Sequence, residues 1–482
     1  MTMVEWVGLA RRRGCPLLAV DTPEPLGAMG LLADQARMQD GTAWAWDCAE
    51  GLSALTRRAE EYESEEECQP PEELLAWALH APADGMILAQ WHEEYWQDVV
   101  VRQGVLNLRD PFKRNGRTLV LVGRGMKVHA GLASEFLEYE ESLPGSEELE
   151  QVVRQIEKDG GLEPLAEVRR VVDALRGMTR FEAEQQCAMA ASKEGICVKM
   201  LWKAKRRLVN NVAGLSYWQG NETRENAVGL EGVMGYLEEE AQGRQPVSLV
   251  VWVDESEDVL AGVEGDTSGV SQDFLGRIAG HMVDTEARGM SLYGHPGTGK
   301  SHTAKAAGGV FGCPVLALDL GAMKGSLVGQ SEAALRYALQ IERALVGGQK
   351  GVTMWLWTTN AIEKLPAKIR SRSQPEWFYD LPGEQEQLPI WQLYMGQYEI
   401  ERQAFPDFEG WTGREIKQCC FQAWNKRMSL VKAARYVVAS AVSQRGQIEA
   451  RRKQASGKYL DACRGGVFEW RGEKEEGRRM EV

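Results

Sequence analysis

The stretch MSLYGHPGTGKSHTAKAAGGV, Met290–Val310, contains a complete phosphate-binding loop. Gly294, His295, Pro296, Gly297, Thr298, Gly299, Lys300 and Ser301 fit the pattern GxxxxGK[ST], and the short apolar run MSLY precedes them. A helix-forming run that begins with Ser301 and His302 follows. Glycines let the backbone curl so that successive N–H groups point at a phosphate, and the helix N-terminus adds partial positive charge. Lys300 is then expected to reach the β- and γ-phosphates, and Ser301 to ligate magnesium. His295 is an unusual residue inside such a loop, tolerable if its side chain points to solvent. The expected ligands are ATP and Mg2+.

Hydrolysis needs two further groups: an acid to hold the metal through water, and a base for the attacking water. Adjacent carboxylates at the end of a buried strand supply both, because neighbouring side chains there diverge. Between Ser301 and Asn360, the only strand-like acidic segment is VLALDLG with a lone Asp319. The good candidate lies ahead of the loop, in LVVWVDESED, Leu249–Asp258. There Asp254 would face the metal and Glu255 the γ-phosphate. The alternative is a buried strand that merely runs into an acidic loop.

The chain has 482 residues, too many for one core. Its 44% apolar and 26% charged residues are those of a globular protein. A net charge of −14 argues against a protein that coats nucleic acid. The basic runs WKAKRR (202–207) and RRK (451–453) are either local contacts or solvated helix faces. Nine cysteines form no CxxC pair, which suits reduced thiols in the cytoplasm. The N-terminus has no signal-peptide pattern, and no apolar run approaches the roughly 20 residues of a membrane helix.

In the first half, PLLAV (16–20), TAWAW (42–46), GMILAQ (85–90) and TLVLVG (118–123) alternate with helical stretches, as parallel α/β layers do. No phosphate loop occurs there. The segment QWHEEYW (90–96) holds His92, Glu93 and Glu94 without a third ligand at helical spacing, so a decayed site is preferred to a metal site. GMTRFEAEQQCAMA (177–190) and GWTGREIKQCCFQA (410–423) share residues at equal spacing, and each follows a strand ending in LPG. Two such pairs in the same order point to internal duplication, with the first half a copy lacking its loop.

The second half resembles the AAA+ ATPases, nearest to plastid, cyanobacterial and phage members with an inert α/β domain before the active one. VLALDLGAMKGSLVGQSEAALRYAL looks like their second strand, pore loop and following helix, with Leu327 where polypeptide-threading members place an aromatic residue and Lys324 nearby. MWLWTTN looks like the sensor strand, ending in Asn360, which would orient water or simply cap a turn. IRSRSQPEWFYDLPG resembles the arginine-finger stretch, with Arg370 and Arg372 as candidates spaced more tightly than usual; plain surface residues are the alternative. GWTGREI resembles the start of the helical lid, where Arg414 could sense nucleotide.

The resemblance implies a parallel sheet in the family's order 5-1-4-3-2, which this chain would visit as 3, 1, 2, 4, 5. Both altered crossovers stay right-handed. The implied domains are a degenerate α/β domain (1–144), a helical lid or linker (145–225), the ATPase core (226–383), a second lid (384–445) and a charged, fraying tail (446–482). The implied activity is that of an ATP-hydrolysing homo-oligomer, a hexameric ring acting on a protein client. A nucleic-acid-associated ATPase and an ATP-switched scaffold with little turnover remain alternatives.

Overall fold

The computed structural model describes residues 1–39, 41–62, 68–163, 165, 168–193, 195–218, 224, 227–254, 270–324, 330–346 and 351–470. It divides into two compact units, residues 1–208 with 326–347, and residues 209–325 with 348–482.

The first unit is built on β1 (Leu17–Asp21), β2 (Ala43–Asp47), β3 (Gly51–Ala54), β4 (Met86–Gln90), β5 (Thr118–Gly123) and β6 (Leu137–Glu140). Their order is β3-β2-β4-β5-β1-β6, parallel except for the β2–β3 hairpin. The parallel strands read as apolar runs because both faces are covered. Leu17, Ala19, Ile87, Ala89, Leu119 and Leu121 enter one core. The intervening Leu18, Val20, Leu88, Val120 and Val122 enter the other.

Four helices follow, Ser146–Asp159, Val168–Leu175, Arg180–Ala190 and Val198–Asn210, with the small hairpin β7 (Ala191–Ser192) and β8 (Gly195–Ile196). The helix Gln330–Val346 groups with this unit rather than with the span expected for the ATPase core. It buries Leu335, Ala338, Ile341 and Leu345, leaves Leu339 half-buried, and pairs Glu332 with Lys127 at 3.2 Å and Gln340 with Glu140 at 3.0 Å.

The second unit holds β9 (Leu215–Trp218), β10 (Val247–Val253), β11 (Arg288–Gly294), β12 (Val315–Leu318), β13 (Val352–Thr359), β14 (Glu376–Tyr379) and β15 (Leu460–Asp461). Their order is β15-β14-β11-β13-β10-β12-β9, with only β9 antiparallel to its neighbour. Without edge additions the two sheets are alike: β6-β1-β5-β4-β2 in one, β14-β11-β13-β10-β12 in the other. The chain enters them differently. β10 takes the place that β4 holds in the first sheet, yet it precedes β11, which takes the place of β1. This is the strand order expected from the sequence. Parallel strands make the path immaterial to the site, because every strand end that matters lies on one edge of the sheet.

The paired segments noted in the sequence also agree in structure. Thr179 and Thr412 each cap a helix, accepting from the N–H of Glu182 at 3.2 Å and of Glu415 at 3.4 Å. Each glutamate returns a bond to the cap N–H, at 2.9 and 2.7 Å. The helices then bury Ala183, Cys187 and Ala190 in one case, and Ile416, Cys420 and Ala423 in the other.

Two expectations need correction. The stretch from Gly446 is not a fraying tail as far as Trp470: Arg445–Ala455 is a helix, β15 joins β14, and Phe468 packs on Phe378 with ring centroids 4.6 Å apart. Ile448, Ala455, Tyr459, Ala462 and Phe468 are buried, which holds an otherwise charged stretch in place. Nor is WKAKRR, read as a local contact or a solvated helix face, exposed throughout. Lys205 is buried, its ammonium donating to the Asp173 carbonyl at 2.9 Å and lying 4.7 Å from the Trp202 ring, while Arg206 and Arg207 are exposed.

Candidate nucleotide-binding site

The phosphate loop leaves β11 at Gly294 and enters the helix Lys300–Phe311. Its shape depends on glycine. Gly297 and Gly299 have φ of 86° and 104°, a region that side chains disfavour. A Cβ on Gly299 would also stand 2.9 Å from Leu230 Cδ1, and one on Gly294 would stand 2.2 Å from the Tyr379 carbonyl oxygen. Thr298 Oγ1 donates to the His295 carbonyl at 2.7 Å and closes the turn.

Lys300 is buried, and its ammonium donates to the carbonyls of Gly294 (2.7 Å) and His295 (3.0 Å) and to Asn360 Oδ1 (2.8 Å). Asn360, at the end of β13, is therefore brought to the loop lysine. Asp254 follows β10, the neighbour of β13. Thr358 Oγ1 donates to its Oδ1 at 2.7 Å and accepts from Trp252 Nε1 at 3.3 Å, which fixes the carboxylate's orientation. Glu255 lies outside the described residues, as does Leu327.

Asp254, Lys300, Thr358 and Asn360 line one cavity of about 310 Å³, together with Ser301 and His302, whereas Gly294 and His295 do not line it. Two sides of it were not anticipated. Val228, Leu230, Ile390 and Leu393 give it an apolar wall, and Lys417 joins Arg414 from the helix Gly413–Asn425. Lys417 was legible in principle, since it lies three residues from Arg414 and so on the same helix face. The Val228–Leu230 wall had no such signal, as it belongs to a connecting segment.

Arg370 and Arg372 do not line this cavity. Arg370 is held in a two-pronged pair with Glu376, both contacts at 2.9 Å, and its guanidinium pKa is raised by that hydrogen bonding. Arg372 is exposed and donates to the Lys368 carbonyl at 3.1 Å.

His295 departs from expectation. It does not face solvent but is 4% exposed, with Nδ1 2.8 Å from the guanidinium of Arg451. Burial, reinforced by the positive charge of Arg451 and Lys300, pushes its pKa down to about 4.

The donor set suits the expected ligands. A threonine hydroxyl fixes an acid opposite a helix-capped loop, and hard oxygen donors match a small divalent cation. The cavity is within the range of small-molecule sites. Residues 290–346, which include the loop, match the family profile for the ATPase family associated with various cellular activities (AAA). Residues 10–140 match that of the SpoVK-like AAA ATPase N-terminal domain. Two stretches of the chain are thus similar to AAA ATPases.

Among its AAA relatives is the AAA domain-containing protein ycf46 of Trieres chinensis, 20% identical over 72% of this chain and 73% of that protein. The ycf46 protein of Guillardia theta is also 20% identical, over 70% and 71%. That of Pyropia yezoensis is 27% identical over 30% and 38%. Among the described residues of the chain, no helix is long and apolar enough to cross a membrane, and no three His, Cys, Asp or Glu side chains stand together as a metal site.

Proposed function

We propose that this protein is an ATP-hydrolysing AAA motor that works as a ring, a hexamer by the family's habit, and remodels a protein or protein complex. The observation that carries the reading is the gathering of Asp254, Lys300, Ser301 and Asn360 at one cavity that the cationic Arg414 and Lys417 also line. Ser301 and Asp254 are the residues that would hold a magnesium ion, whose charge would neutralise the phosphate oxygens. Lys300 would exchange its present acceptors for phosphate oxygens, and Asn360, released from it, would orient the attacking water. To Glu255, next in sequence to Asp254, we assign activation of that water. Arg414 and Lys417 would face the phosphates from the lid, and the apolar wall would take the base.

Of the two arginine candidates, Arg372 is the better finger, because Arg370 is already committed to Glu376. The basic runs give the nucleic-acid reading little support. Lys205 is buried, Arg451 meets His295, and Arg452 binds Asp380 at 2.8 and 3.0 Å.

ATP turnover measured alone, with an unfolded protein and with single- or double-stranded DNA tests the reading. Stimulation by protein supports it. Stimulation by DNA alone transfers the motor to nucleic acid, and near-zero turnover throughout leaves a switched scaffold. Glu255→Gln is expected to bind ATP and to stop hydrolysing it; unchanged turnover would remove Glu255 from the chemistry.

A further inference from the structure

The contact between His295 of the phosphate loop and Arg451 of the C-terminal helix Arg445–Ala455 lies outside the nucleotide cavity, since neither residue lines it. Three side chains of this helix reach the ends of the central strands. Arg451 meets His295 Nδ1 at 2.8 Å, Arg452 meets Asp380 at 2.8 and 3.0 Å, and Gln454 Oε1 accepts from the Tyr293 hydroxyl at 3.0 Å. Gln454 also donates to Glu363 at 3.0 Å.

A guanidinium can only donate. His295 Nδ1 must therefore accept, which leaves the ring neutral with its proton on Nε2. The consequence reaches the loop. The carbonyl of the same residue accepts from Thr298 Oγ1 at 2.7 Å and from Lys300 at 3.0 Å. Fixing the ring of His295 thus fixes the residue on which two loop side chains are hung.

We propose that Arg451 is a positioning residue for nucleotide: by donating to His295 it sets the start of the phosphate loop, so nucleotide affinity depends on the docked C-terminal helix. The proposal rests on the reading that this loop binds ATP. The charged groups around the imidazole agree with it. Arg451 on the C-terminal helix, Lys300 on the phosphate helix and Arg414 on the lid helix all oppose protonation, and only Glu415 of the lid favours it. A buried ring ringed by three cations stays neutral, as the accepting role requires.

The test is the Kd for ATP of the full chain and of Arg451→Leu, Arg451→Lys, His295→Ala and the double variant Arg451→Leu/His295→Ala. Each of Arg451→Leu and His295→Ala is expected to weaken ATP by about tenfold. The double variant should be no weaker than the worse single one, because both remove the same link. Arg451→Lys, which keeps a cationic donor, should restore most of the affinity. If the wild-type chain binds ATP and Arg451→Leu binds it within about twofold, or if the two effects multiply, the proposal fails. A wild-type chain that does not bind ATP defeats the underlying reading instead. Nitrogen-15 NMR of the imidazole needs no variant. It should report the Nε2–H tautomer unchanged from about pH 5 to about pH 8, and a His295 titrating near about 6.5 overturns the link however the variants fold.

Discussion

Lys300 and Asp254 show what single residues contribute before any nucleotide arrives. Thr358 Oγ1 donates to the Asp254 carboxylate at 2.7 Å, and on the proposed reading that carboxylate would hold the metal. Asp254→Asn keeps an oxygen for that hydroxyl and removes the charge. ATP binding without metal should change little, while the tightening produced by added Mg2+, about tenfold in the wild type, should largely vanish. Calorimetric titration with and without Mg2+ decides it; an intact metal effect would exclude Asp254 as the ligand.

Lys205 gives a second, independent prediction at this scale. Burial lowers its pKa to about 7, against about 10.4 in an unfolded chain. Between those values the unfolded chain holds a proton that the folded one lacks, so stability rises with pH across that window. Below about 7 the buried charge is present in full and its cost is greatest. Lys205→Met should therefore raise the thermal midpoint at neutral pH, with a gain that shrinks towards about pH 10. An equal gain at both ends would mean the ammonium is not what the fold pays for.

At the scale of elements, burial on two faces decided what could be read from sequence. The four strands expected in the first unit fall within a residue or so of β1, β2, β4 and β5, because a parallel strand covered on both sides is an unbroken apolar run. The edge strands β3, β9 and β15 gave no such run: Leu215–Trp218 alternates buried and exposed residues, and β15 is two half-buried residues long. The C-terminal segment was misread for the same reason. Its buried residues are too far apart to form a period and only make sense against Phe378 and Tyr293, which lie elsewhere in the chain. In the site, the loop, Asp254 and Asn360 were legible as strand ends, whereas Arg451 was not, since no spacing links it to His295. If the C-terminal segment is a true part of the core, Phe468→Ala should lose about 3 kcal/mol and lower the midpoint by roughly 6–12 °C. Val467, 59% exposed, is the control, and Val467→Ala should shift it little. Equal small effects at both positions would return the segment to the status of a tail.

For the whole molecule, two sheets share one spatial order, edge additions aside, along two chain paths. Asp254 precedes the loop in sequence and still lines the cavity with Lys300, because only β13 separates β10 from β11. The remaining catalytic charge is a different matter, since neither Arg370 nor Arg372 lines that cavity. On the proposed reading a finger would act from a neighbouring copy, which would make turnover a property of the assembly. Arg372→Ala should bind ATP normally and lose about a thousandfold in turnover. Lys300→Ala should lose binding but still offer Arg372 to its neighbour. Each variant alone is then inactive for a different reason, and a mixture contains sites of the first completed by fingers of the second. Mixing the two inactive proteins should restore a measurable fraction of wild-type turnover, highest near equal proportions and falling on dilution as rings dissociate. A mixture as inactive as its components would mean that Arg372 does not act between subunits.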